Sequence, residues 1–259
     1  MSKLLIFGTA ARFDQSRSDK RGRFAVPVIK GIVPRPNITR MNERMTEANS
    51  LEAQACQPVP LKQDGFNPNA QIPFGLQTNH IRSAMQEFLG FLGFLNTALL
   101  SKQIPRLEAF LMPANFSSIV GEFMNVAIPK YCPLIVKNNY HNGHPDLLPA
   151  GMFAGDAVQH GTVGIEVKGS RHSSGWQGHN AEECWLMVFV FDSNTSRDTL
   201  NGIAPRPFRF VGVYGAQLEK VDWNFSGRSE TSRRTITASV TRSGFNKMVS
   251  NWIYRADDL

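Results

Sequence analysis

Residues 140–170 read YHNGHPDLLPAGMFAGDAVQHGTVGIEVKGS and hold the residue types of metal-assisted hydrolysis. Glu166 and Lys168 stand two apart in Gly164-Ile165-Glu166-Val167-Lys168, a run that reads as a strand. A strand's period of two sends both side chains from one face of a sheet and Val167 from the other, apolar face. A carboxylate and an ammonium side by side on a buried strand are costly unless something uses them. Asp146, which follows Pro145 and precedes Glu166 by 20 positions, supplies a second carboxylate. Two carboxylates suit Mg²⁺, a cation that takes oxygen ligands and keeps several waters. Lys168 could then orient or deprotonate an attacking water, or neutralise charge developing on a phosphorane. Asp156 is closer to Glu166 in sequence and competes for the same role. Gly155-Asp156 reads as a turn, whereas Pro145 gives Asp146 an extended approach to a strand, so Asp146 is preferred and Asp156 stays open.

Those side chains need a scaffold. Seven prolines fall within the first 75 residues and exclude long helices there, leaving room for a short edge strand at 24–32 and a helix at 40–54. Residues 80–100 carry Ile81, Met85, Phe88, Leu92, Leu95 and Leu99 at helical spacing, apolar nearly all round, which predicts a core helix or one at a dimer interface. A second helix is expected at 115–127, after Pro113 and ended by Pro129, with Glu122 on it. Strands are expected at 131–136, 162–167, 186–191 and 208–214; the LMVFVF run at 186–191 reads as a buried central strand. A short helix inside 175–185 would link the second strand to the third, and a strand at 235–240 and a helix at 244–254 would close the chain. This order predicts an α/β fold, a mixed sheet with helices on its faces. The organisation expected is a basic, Pro-rich arm or subdomain over residues 1–78 and a catalytic domain over 79–259.

Pro145-Asp146 followed by Glu166-Val167-Lys168 resembles the active site of the restriction-endonuclease-like, or PD-(D/E)xK, nuclease superfamily. The likeness covers roughly residues 115–195, where the expected element order is similar to that superfamily's αβββαβ core. It implies Asp146 and Glu166 as ligands of Mg²⁺, Lys168 as the catalytic lysine, and Glu122 as a further acidic residue on the helix before the core strands. It further implies an endonuclease acting on double-stranded DNA, most simply a type II restriction endonuclease. Such an enzyme is expected as a homodimer, because a duplex has two strands to cut, and a separate cognate methyltransferase would be its companion. A structure-selective or repair nuclease of the same superfamily, and a non-catalytic DNA-binding protein on the same fold, are the alternatives.

Charge agrees with a polyanionic partner. The 259 residues carry a net +7, unevenly distributed. Residues 1–50 hold ten basic and four acidic side chains, residues 151–200 three and six, and residues 201–259 nine and five. Basic ends around an acidic middle would neutralise phosphates while the carboxylates hold a cation against the scissile one. Candidate DNA contacts are Arg21 and Arg23 in the N-terminal cluster, Arg171, His172 and Gln177 in the small-residue loop after Lys168, and Arg228, Arg233 and Arg234 in a hydroxyl-rich segment. Gln177 is expected at the start of the linking helix. Five of the six histidines lie between positions 141 and 179, and His144 is the one beside the motif. Three distant cysteines with no CxxC pair argue against a disulfide scaffold and a cysteine zinc site, and fit a reducing cytoplasm. No apolar run is long enough for a membrane span, and the first residues lack a secretory pattern.

Overall fold

The computed structural model describes residues 47, 49–178, 181, 183–198, 200–225 and 238–256. The chain divides into Met1–Met41 and Asn42–Leu259, and all described residues belong to the second unit. Arg21, Arg23, Arg228, Arg233 and Arg234, the strand expected at 24–32 and most of the helix expected at 40–54 lie outside the described residues.

The architecture is α/β, with a mixed six-stranded sheet flanked by helices. The helices are α1 (Thr78–Ser101), the single turn α2 (Leu107–Phe110), α3 (Pro113–Tyr131) and α4 (Arg242–Ser250). The strands are β1 (Ile135–Lys137), β2 (Leu147–Pro149), β3 (Ile165–Ser170), β4 (Gln177–Gly178), β5 (Trp185–Asp192), β6 (Arg209–Gln217), β7 (Trp223–Phe225), β8 (Ala238–Val240) and β9 (Trp252–Arg255). The main sheet runs β1-β2-β3-β5-β6-β9, and only β3 with β5 is parallel. A smaller sheet, β4-β8-β7, lies beside it.

The apolar run of β5 is buried along nearly its whole length because it separates two cores. Trp185, Met187, Phe189 and Phe191 face α1 and α3, where Phe88, Leu92, Phe116 and Val120 complete one core. Leu186, Val188 and Val190 face the other way, onto Trp176, Trp223, Ala238 and Met248 from the small sheet and α4. Leu61, Phe66 and Leu76 join the first core, and Phe66 sits 4.7 Å from the Tyr254 ring of β9.

Helix α1 matches the apolar pattern that predicts it, with Ile81, Met85, Phe88 and Leu92 fully buried. Three expectations are corrected. Pro129 does not end α3, which continues to Tyr131. A proline in the last turn forfeits little of the helical bonding, and the Cys132 N–H still closes on the Ile128 carbonyl at 3.2 Å. The expected helix at 244–254 is α4 followed by strand β9. Asn251 breaks it by donating to the Gly215 and Gln71 carbonyls, and Ile253 and Tyr254 then bury as a sheet strand. Between β3 and β5 there is no helix among the described residues. Gln177 and Gly178 pair instead with Ser239 and Ala238 of β8, and the buried Trp176 indole stacks on Tyr214 with centroids 5.6 Å apart. Among the described residues no helix is long and apolar enough to cross a membrane.

Candidate active site

Strand β2 meets β3 at one pair, Leu147 with Ile165, and then diverges. From Glu166 onward β3 is hydrogen-bonded to β5 on one side and open on the other, and a cleft of about 610 Å³ lies along that open edge. Helix α3 forms its second wall through a stripe of small and polar residues one turn apart, Ser117, Gly121 and Asn125. The close approach requires glycine on the strand. A Cβ on Gly169 would stand 2.4 Å from the Ser117 carbonyl oxygen and 3.0 Å from Val120 Cβ.

Glu166 and Lys168 pair with Leu186 and Val188 across the parallel ladder, so they leave the sheet on the face away from α3's core, while Val167 points into that core. The same-face expectation for Glu166 and Lys168 therefore matches. Glu166 is 6 % exposed. Its Oε1 accepts from Lys168 Nζ, and its Oε2 lies 2.9 Å from His144 Nδ1. An ionised carboxylate can only accept, which assigns the proton to Nδ1. His144 Nε2 then faces the buried Cys184 thiol at 3.6 Å. Asp146 sits just before β2, and its Oδ2 accepts the Val167 N–H at 2.9 Å, tying the second carboxylate to the open edge. The structure therefore brings Asp146, Glu166 and Lys168 together at one end of the cleft. Glu122 lines the same cleft but is mostly exposed and pairs with Lys137 Nζ at 3.0 Å.

Asp156 is elsewhere. It occupies a one-turn 3-10 segment, Ala154–Asp156, with φ of 50°, and its Oδ1 accepts the Gly151 N–H at 2.8 Å. This is the role of a turn aspartate.

Sequence reasoning missed Asn138. Its amide donates to the Pro145 and Val158 carbonyls at 2.9 and 2.8 Å, and its Oδ1 accepts the Tyr140 and Val158 N–H groups at 3.0 and 3.1 Å. Four satisfied bonds from one side chain fix the loop that delivers His144 and Asp146. In sequence it is one asparagine of an Asn-Asn pair before a Gly-containing turn, and nothing there separates it from an ordinary loop residue.

The electrostatics of the two carboxyls are opposed. Burial, then the Glu166 charge, pushes the Asp146 carboxyl up to about 7 against the pull of the Val167 N–H and Lys168. Burial also acts to raise Glu166, but the His144 hydrogen bond and the Lys168 charge outweigh it and hold that carboxyl at about 2. An ionised Asp146 is thus penalised by burial and by its neighbour's charge, only partly offset by Lys168 and the Val167 N–H, a penalty that a bound cation would relieve. Among the described residues no group of three or more His, Cys, Asp or Glu side chains is placed to hold a metal ion. A pair of carboxylates facing an open cleft suits Mg²⁺, which is commonly held by one or two carboxylates and waters.

A second cavity of about 400 Å³ continues the groove past Lys168, sharing Ser117, Lys168 and Gly169 with the first. His172 and Gln177, both exposed, line it. Gln177 is there as a residue of β4 and not as the start of a helix. Arg171 lines it as well, half-buried and already engaged. It bonds Ser193 Oγ at 2.6 Å, the Asn194 carbonyl at 3.2 Å and the Ser193 carbonyl, which anchors the loop to the end of β5. Cys56, Cys132 and Cys184 are all buried, and none forms a disulfide. No protein-family model matches the chain, and neither a curated protein nor a solved structure matches it.

Proposed function

We propose that this protein is a Mg²⁺-dependent endonuclease with a restriction-endonuclease-like core, hydrolysing phosphodiester bonds of double-stranded DNA, most simply as a type II restriction endonuclease acting as a homodimer. One observation carries the reading: Asp146, Glu166 and Lys168 converge where β2 and β3 part, at the end of a groove bordered by small residues. A groove with Gly121, Gly169 and serines on its walls lets a sugar-phosphate backbone approach the strand closely. The departure from the superfamily pattern is the link between β3 and β5, which has no helix among its described residues.

Mg²⁺, when bound, would supply Lewis-acid polarisation of the scissile phosphate and charge neutralisation. The chain's own groups do the rest. Asp146, just before β2, and Glu166, on β3, present oxygens to one site, with Asp146 tied to β3 by the Val167 N–H. His144 orients Glu166 through Oε2, leaving Lys168 on Oε1. Lys168 Nζ is then held at the groove, where its charge opposes the negative charge developing on the phosphoryl oxygens.

The test is conversion of supercoiled plasmid to nicked or linear form in Mg²⁺ and in EDTA. Cleavage is expected from the wild type in Mg²⁺ alone, from Asp156→Ala at nearly the same rate, and from neither Asp146→Ala nor Glu166→Ala. Retained DNA binding without cleavage in wild-type protein would favour the non-catalytic alternative.

A further inference from the structure

The groove is divided by charge. Glu122, Asp146, Glu166 and Glu183 all line the first cavity, whereas among the described residues no carboxylate lines the second. The second cavity holds donors and a cation instead. Ser117 of α3 offers a hydroxyl, and the exposed His172 and Gln177 offer an imidazole and an amide. Arg171 supplies the charge. Its guanidinium is half-buried and bonds the Ser193 hydroxyl and the Ser193 and Asn194 carbonyls, all neutral oxygens. Asp192, Asp198 and Glu108, the acids whose charges reach it, are paired with Arg206 and Arg106. Burial is the largest influence and holds the Arg171 guanidinium below its usual pKa. A half-buried cation in contact with neutral oxygens is costly, and an anion in the adjoining cavity would offset part of that cost. About 400 Å³ lies within the range that holds a small ligand such as a sugar phosphate. Because Ser117, Lys168 and Gly169 belong to both cavities, an anion in the second lies beside whatever occupies the first.

We propose that the second cavity is an anion subsite for a nucleic-acid phosphate flanking the scissile one, with Ser117, His172 and Gln177 as its contacts and Arg171 as its fixed charge. The inference rests on the nuclease reading above, and its test separates the two. Thymidine 3′,5′-bisphosphate is titrated into the full-length protein by calorimetry, in EDTA and in Mg²⁺. In EDTA the wild type should bind it, and thymidine, which lacks the phosphates, should not bind. The double variant His172→Ala/Gln177→Ala should bind the bisphosphate about tenfold or more weakly in EDTA, the loss expected for hydrogen bonds to a charged group. Both side chains are exposed, so the double variant should fold as the wild type does. Asp146→Asn should keep the binding seen in EDTA. Mg²⁺ should tighten the bisphosphate on the wild type and leave Asp146→Asn unchanged. Absence of binding by the wild type in EDTA, equal binding by the double variant, or equal binding of thymidine overturns the subsite alone. Binding in EDTA as expected, with no tightening of the wild type by Mg²⁺, overturns the cation reading and with it the placing of this subsite beside a scissile phosphate.

Discussion

Replacing Asp146 by asparagine should make the metal-free protein more stable at neutral and alkaline pH. The asparagine oxygen can still accept the Val167 N–H, so the substitution removes chiefly the charge. In the unfolded chain the carboxyl titrates near its ordinary value of 3.8, whereas in the fold it is raised to about 7. Below about pH 4 it is protonated in both states and contributes nothing. Between 4 and 7 the unfolded chain releases a proton that the folded protein keeps, so stability falls as pH rises, and above 7 the penalty is complete. About three units at about 1.4 kcal/mol each give a penalty of roughly 4 kcal/mol at pH 8 and roughly 2 kcal/mol at pH 5, both lowered by solvent screening at this partly exposed group. Urea unfolding of wild type and Asp146→Asn in EDTA at the two pH values reads the difference directly. The variant should be the more stable at both, with the larger gap at pH 8. Adding Mg²⁺ at pH 8 should stabilise the wild type and leave the variant nearly unchanged. A variant no more stable than wild type at pH 8, or a gap that does not widen with pH, would refute the argument that burial and the Glu166 charge together penalise an ionised Asp146.

Gly169→Ala should destabilise by about 1–3 kcal/mol and depress cleavage, because the new methyl meets the Ser117 carbonyl at 2.4 Å and pushes α3 off the open edge of β3. Gly121→Ala should be milder, since its nearest neighbour would be at an ordinary 3.5 Å; thermal unfolding of the pair tests the ordering. Arg106→Ala should cost about 3–5 kcal/mol in denaturant unfolding, because the fully buried Arg106 bonds Glu108 at 2.6 Å and Asn194 at 2.8 Å and its removal leaves the Glu108 charge unpaired. A loss below about 1 kcal/mol would show that Glu108 finds another partner or a proton.

Much of the site was legible because strand periodicity is strict. The two-residue spacing of Glu166 and Lys168 is enough to put them on one face, and a proline before Asp146 together with a glycine before Asp156 separates a strand approach from a turn. The long apolar patterns of α1 and β5 were legible for the same reason, burial on one or both faces. What was not legible depends on contacts remote in sequence. Residues 175–185 carry no strong pattern, and their strand pairing arises only because β8, some sixty residues later, lies alongside. Strand β9 reads as the end of a helix until Asn251 is seen to bond Gly215 and Gln71. Arg171 had the composition of a phosphate contact, but its guanidinium is engaged by the chain end of β5.

Lys168 bears most directly on the central claim, because a chance carboxylate pair needs no lysine. The measurement is single-turnover cleavage of prebound duplex DNA at saturating Mg²⁺, with binding followed separately. Lys168→Ala should slow the cleavage step by about a hundredfold or more while leaving DNA affinity within a few-fold, since its charge is used where negative charge develops. Lys168→Arg should rescue poorly, the guanidinium being planar, bulkier and not readily deprotonated. Near wild-type cleavage by Lys168→Ala would contradict the assignment of phosphodiester hydrolysis to this cleft.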